Sequence, residues 1–160
     1  MPQIDNHLEW CLNEKKRLVK TKPDLNLAQK HLKKSEYNYD VLQRLEKQKI
    51  YDWALNIGFY SIYHCFLAIL SKYGYESKNQ SCTITALFSL IEQKKLNLDK
   101  NLLLQFDTLE TEKDITSPTV RMEREISTYG VETSINPQHL KNIKELIVKV
   151  QRETIRILSE

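Results

Sequence analysis

The chain has 160 residues, 28% charged and 41% hydrophobic, with a formal net charge of +3. That length suits a single domain over 1–160 whose core needs no disulfide or metal staple, and so mild a charge permits a nucleic-acid partner without implying one. Three glycines and four prolines supply little turn punctuation, which points to long helices with few connections.

In chain order, residues 3–20 read as a first helix, with Ile4, Leu8, Cys11, Leu12, Leu18 and Val19 broadly on one side. Its basic end, Lys15, Lys16, Arg17 and Lys20, suits the negative end of a helix dipole. After Pro23-Asp24, residues 24–48 read as a second helix. There Ala28, Leu32, Ser35, Tyr39 and Leu42 follow a 4-3-4-3 spacing that makes a seam against a neighbour.

Between Asp52 and Lys72 lie nineteen residues without a charge. A helix of this length would cross a bilayer. Yet the run holds Asn56, Ser61, His64 and Ser71, together with Tyr60 and Tyr63. Surrounding amphipathic helices can pair those polar groups and lipid cannot. The segment, about 50–73, is therefore expected to be the nearly all-round-buried central helix of a bundle, with no membrane partner. Gly74 can take the left-handed conformation that ends it.

A fourth helix is expected over Thr83–Lys94, with Leu87, Leu90 and Ile91 inward. Asp99 can cap another, carrying Leu102, Leu103, Phe106 and Leu109. Polar Glu110–Ser117 should loop out. Ser117-Pro118 then makes an N-cap and first-turn pair for a helix closing at Tyr129-Gly130. Asn136-Pro137 repeats that start signal, and Leu140, Ile143, Ile147, Val150 and Ile157 stripe a last long helix. No strand is expected. The fold class is all-α, an up-and-down antiparallel helical bundle with an extra N-terminal helix.

Chemistry is harder to find. None of the histidines, His7, His31, His64 and His139, is read as having another His, Cys or carboxylate at a spacing that builds a site, such as two histidines four apart on a helix, and no metal site is expected. His64 reads as a satisfied core histidine. No glycine-rich phosphate loop and no nucleophile elbow is present, so no cofactor is expected. Three cysteines, Cys11, Cys65 and Cys82, leave one unpaired under any disulfide scheme and form no CxxC. With no basic, apolar leader at the N-terminus, this suggests a reducing, cytoplasmic setting. Two basic groups, Lys15 to Lys22 and the stripe Lys141, Lys144, Lys149, Arg152 and Arg156, read as solvated faces before they read as phosphate contacts. Trp53, Phe59, Tyr60, Tyr63 and Phe66 read as core, or as half of a dimer interface, before they read as a ligand cleft.

Two segments together carry a resemblance. YDWALNIGFYSIYHCFLAILSKYGYESK, through Phe59-Tyr60, Tyr63-His64, Cys65, Ala68, Leu70 and Gly74, resembles the central helix and following loop of the HEPN domain (higher eukaryotes and prokaryotes nucleotide-binding). Ala28-Gln-Lys-His-Leu32 echoes a spacing before it. VRMEREISTYGV resembles that family's arginine-containing helix, and QHLKNIKELIVKVQRETIRIL its closing helix. The similar region is about 24–158.

The resemblance implies a bundle of HEPN type, commonly a homodimer. Its members include ribonuclease toxins, partners of small nucleotidyltransferases, and non-catalytic binding modules. In the ribonucleases four to six residues separate an arginine from the histidine that follows it. Here Arg124 meets Tyr129 at the first such position, and Arg121 meets Ile126, Ser127 and Thr128. Without that imidazole the acid–base group is missing, and tyrosine, with a pKa of about 10, replaces it poorly. The expectation is a non-catalytic module binding a nucleotide, RNA or a protein such as a small nucleotidyltransferase. Arg121, Arg124, Tyr129 and His64 are the candidate ligand-binding residues. A divergent ribonuclease toxin and a purely structural interaction bundle are the rival readings.

Overall fold

Helix ends in this chain are written in short polar side chains. Asp24 Oδ1 accepts from the Leu27 N–H at 2.9 Å, Asn79 Oδ1 from Cys82 at 3.0 Å, and Asn136 Oδ1 from Gln138 at 2.9 Å. Each satisfies a backbone donor that a first helical turn leaves orphaned. The computed structural model describes residues 2–107 and 119–160. Among them run seven helices and two short strands: α1 (Pro2–Leu12), β1 (Leu18–Lys20), α2 (Leu25–Lys47), α3 (Tyr51–Lys72), β2 (Tyr75–Ser77), α4 (Gln80–Glu92), α5 (Lys100–Phe106), α6 (Val120–Tyr129) and α7 (Pro137–Leu158). Leu109, the expected loop Glu110–Ser117 and the Ser117-Pro118 pair lie outside the described residues.

The all-α class holds, and α3 is the centre of the bundle. Phe59, Ile62, Cys65, Phe66, Ile69 and Leu70 are fully buried on it. It runs antiparallel to α2, where His31 meets His64 and Leu42 meets Gly58. It is also antiparallel to α6, where Thr128 meets Asn56, and parallel to α7, where Ile143 meets Gly58 and the Ile157 carbonyl meets Lys72. Helices α2, α3, α6 and α7 thus alternate up and down. Gly58 sits where three of them converge. A Cβ there would lie 2.9 Å from Ile143 Cδ1 and 3.0 Å from Leu42 Cδ1.

By length and composition α3 could cross a membrane, but 67% of its most apolar stretch is buried inside the bundle. Several of its polar groups are paired. Ser61 donates to the Ser35 carbonyl at 2.8 Å, and Ser71 to the Leu67 carbonyl at 2.9 Å. The Ser35 hydroxyl lies 3.1 Å from Cys65 Sγ and accepts from Gln151 at 3.0 Å. The tyrosine Tyr63 meets Thr83 at 3.1 Å.

Two expectations fail at the N-terminal end. The first helix stops at Leu12 rather than near Lys20, and Leu18–Lys20 is a strand, although none was expected. It pairs antiparallel with Tyr75–Ser77, Leu18 opposite Ser77 and Lys20 opposite Tyr75. The reason is partly local. Arg17 folds back, its guanidinium 3.6 Å from the Trp10 ring centroid while donating to the Trp10 carbonyl at 3.0 Å. Leu18, just past that turn, is buried. Gly74, with φ +82°, closes the same corner as expected, and a Cβ there would meet the Thr21 carbonyl at 2.7 Å.

Elsewhere the expected boundaries move little. Helix α4 begins at Gln80 rather than Thr83, because Asn79 caps it. The cap of α6 is Thr119, whose Oγ1 accepts from the Met122 N–H at 3.3 Å, in place of the expected Ser117. Helix α6 ends at Tyr129 before Gly130, and α7 starts at Pro137, as read.

Candidate functional site

The arginines and Tyr129 share α6, which lies against the aromatic face of α3. Phe59 is fully buried there, with Phe106 stacked on it at 4.7 Å between centroids and Tyr60 edge-on at 5.0 Å. The Arg124 guanidinium lies 4.5 Å from the Phe59 centroid and 5.8 Å from that of Tyr60. Such a cation over a ring face is attracted by the ring quadrupole, the more so when desolvated. The Arg124 side chain is only 11% exposed, and among the described residues it pairs with the Glu125 carboxylate at 3.9 Å.

Two buried polar atoms beside these rings have no hydrogen-bond partner among the described residues: Arg124 Nε and Asn56 Oδ1. Asn56 uses its amide nitrogen to donate to Thr128 Oγ1 at 3.1 Å. Thr128 stands one helical turn beyond Arg124, so donor and acceptor sit along the same α3–α6 seam. Orphaned groups of this kind cost stability unless something binds them.

Arg121 has a different position. Its Nη1 donates to Asp107 Oδ2 at 3.0 Å and its Nε to Glu125 Oε1 at 3.4 Å. Asp107 is buried at the end of α5, so this pair ties the two ends of the 108–118 connection together. Tyr129 is 80% exposed at the last turn of α6. With Met122 and Ile126 it forms a 4-3 spaced apolar stripe on the solvent side. Trp53 and Ile50 are exposed at the start of α3, the end toward which α6 descends.

The fourth candidate, His64, is on another face. Its Nδ1 lies 3.0 Å from Nδ1 of His31 on α2, so one ring donates and the other accepts. Burial, then the neighbouring His31 and Lys34, hold the His64 pKa down to about 4. Burial also lowers His31, with Glu76 opposing. Nothing in the sequence pairs these two, since they are 33 residues apart and on different helices. Cys65 beside it is inert, because burial pushes its thiol up to about 11. His139, at the start of α7, comes within 3.7 Å of Glu123 on α6, and burial raises the Glu123 carboxyl.

Among the described residues, three members of the basic groups form ion pairs, Arg17 with Glu14 at 3.6 Å among them. Lys144 meets Glu46 at 2.7 Å, and Arg156 meets Glu153 at 2.9 Å and Glu160 at 2.6 Å. A further cluster escaped sequence reasoning. Cys11 and Cys82 form a disulfide linking α1 to α4, and a ring nitrogen of His7 lies within 4.8 Å of both sulfurs. The four-residue step from His7 to Cys11 was its one local sign.

No protein-family model matches the chain, and no curated protein matches it.

Proposed function

We propose that the protein is a HEPN-like, non-catalytic binding module that works as a homodimer. The observation that carries this reading is α6, which turns Arg121 and Arg124 toward the bundle and Met122, Ile126 and Tyr129 toward solvent. A helix with a 4-3 apolar stripe on its outer side is suited to packing on a second helix. The Arg121 side chain stays 36% exposed beside its carboxylates. A guanidinium fork there suits a phosphate, whether from a nucleotide or from RNA. In such a dimer a small nucleotidyltransferase is a fitting protein partner. The missing imidazole beyond Arg121 and Arg124 argues against a ribonuclease, since no acid–base group stands at that spacing.

A purely structural interaction bundle is the second reading. It is favoured by the engagement of both arginines within the chain, Arg121 by carboxylates and Arg124 by a ring.

Light scattering should give about twice the 19.0 kDa chain mass, with Ile126→Asp and Tyr129→Asp shifting the protein to monomer. The interface should bury roughly 1,600 Å² in total. A wild-type monomer at high micromolar concentration would defeat the dimer. Fluorescence titration with ATP and with a short single-stranded RNA tests the arginines. Replacing both with alanine should weaken binding by about ten- to a hundredfold, as expected for lost charged hydrogen bonds. Binding unaffected by the double change would place the ligand elsewhere. No binding by the wild type would favour the structural bundle. RNA cleavage that survives purification and vanishes in Tyr129→Phe would overturn the non-catalytic reading.

A further inference from the structure

At the α1–α4 contact, away from the arginines, one group of three metal-ligating side chains stands out among the described residues. One donor atom from each of His7, Cys11 and Cys82 lies within 4.8 Å of the other two. His7 and Cys11 are four apart on α1 and so share a face. Cys82 comes from the first turn of α4, where the Asn79 cap holds its N–H at 3.0 Å. Both sulfurs belong to fully buried residues, while His7 is half-buried, so the cluster is closed on the sulfur side and approachable from the imidazole side.

In the structure Cys11 and Cys82 are bonded to each other. A disulfide does not require an imidazole beside it. A borderline-soft divalent cation bound by two thiolates can use one as a further ligand, as zinc sites that combine cysteine and histidine donors do. The imidazole here is also oriented. Its Nδ1 lies 2.7 Å from Thr85 Oγ1, its Nε2 lies 3.4 Å from Ser81 Oγ, and its ring stacks on Trp10 at 5.4 Å between centroids. A hydrogen bond kept at one ring nitrogen would set the tautomer while a metal replaced the hydroxyl contact at the other.

We propose that the reduced protein binds one zinc-like divalent cation through His7, Cys11 and Cys82, with a fourth position left for water. The disulfide and the metal complex are then alternative states of one cluster. A dithiol reductant breaks the Cys11–Cys82 bond, takes up the disulfide itself and leaves two protein thiols. Zn²⁺ then displaces the two thiol protons as both sulfurs coordinate. In reverse, a disulfide oxidant accepts two electrons from the thiolates, the sulfur–sulfur bond re-forms and Zn²⁺ leaves. Reduction is therefore required for metal uptake, and metal shields the thiols from oxidation.

The test uses the full chain, reduced with a phosphine, desalted without oxygen and titrated with Co²⁺. One equivalent should bind, with thiolate-to-cobalt charge-transfer absorption and the visible bands of a tetrahedral ion, and Zn²⁺ should displace it. The oxidised protein should bind none. Cys82→Ser should abolish the charge-transfer signal or halve it. His7→Ala alters a half-buried side chain, so it should remain folded by circular dichroism while losing at least tenfold in affinity. Cys65→Ala should behave as wild type. Three results would overturn the proposal. They are no stoichiometric uptake by the reduced wild type, equal uptake by reduced and oxidised protein, or a folded His7→Ala variant that binds as tightly as wild type.

Discussion

Phe59→Ala should lower stability by about 3–5 kcal/mol, the cost of removing a buried aromatic side chain and leaving a cavity. Phe59 is fully buried. Phe106 stacks at 4.7 Å, Tyr63 lies parallel at 6.0 Å, Tyr60 meets it edge-on at 5.0 Å, and Arg124 covers it at 4.5 Å. Losing the ring therefore removes dispersion contacts and also strips a desolvated guanidinium of its partner. Urea unfolding at neutral pH, followed by far-ultraviolet circular dichroism, measures the loss. Trp53→Ala is the comparison. Trp53 is 56% exposed on the same helix, and its removal should cost less than about 1.5 kcal/mol. Equal losses for the two variants would mean that the aromatic cluster is not the centre of the core.

Acid should weaken the bundle through the His31–His64 pair. Both imidazoles are held below their ordinary value of 6.5 in the folded chain, by burial first, and His64 falls to about 4. The unfolded chain takes up protons near the ordinary value, before the folded chain does. The contribution is therefore fully present above pH 6.5 and is lost as the pH falls toward about 4. With both rings only half-buried and partly screened, the loss over that window should be about 2 kcal/mol. Charging both rings would also set two donors face to face at the 3.0 Å contact. Urea midpoints across the window, compared between wild type and His64→Gln, isolate the effect from ordinary carboxylates. Parallel curves for the two proteins would show that this pair does not report pH.

Helices α2, α3 and α7 could be read from the chain alone because their signals are contiguous. Asp24 and Asn136 cap by bonding backbone two or three residues away. Gly74 ends α3 through its own φ, and the apolar spacing of α2 and α7 repeats within each helix. Local chemistry of that kind does not depend on what the segment packs against. The central burial of α3 was legible for a related reason. A charge-free run that still holds serines and an asparagine needs partners that only other helices provide.

The strands were not legible. Three residues carry no useful period, and Leu18–Lys20 owes its conformation to Tyr75–Ser77, far along the chain. The shortened α1 follows from the same turn. The candidate residues show the limit most clearly. Arg121 and Arg124 are three apart on one helix, yet Asp107 claims one and Phe59 the other. His64 is paired by a histidine on α2, and Cys11 by a cysteine 71 residues away. Residue type and spacing set what each group can do, but its partner depends on how helices cross. That crossing is decided by the packing of whole faces, at places such as Gly58 on α3, where side chains of α2 and α7 come within 3.0 Å of a single missing methyl.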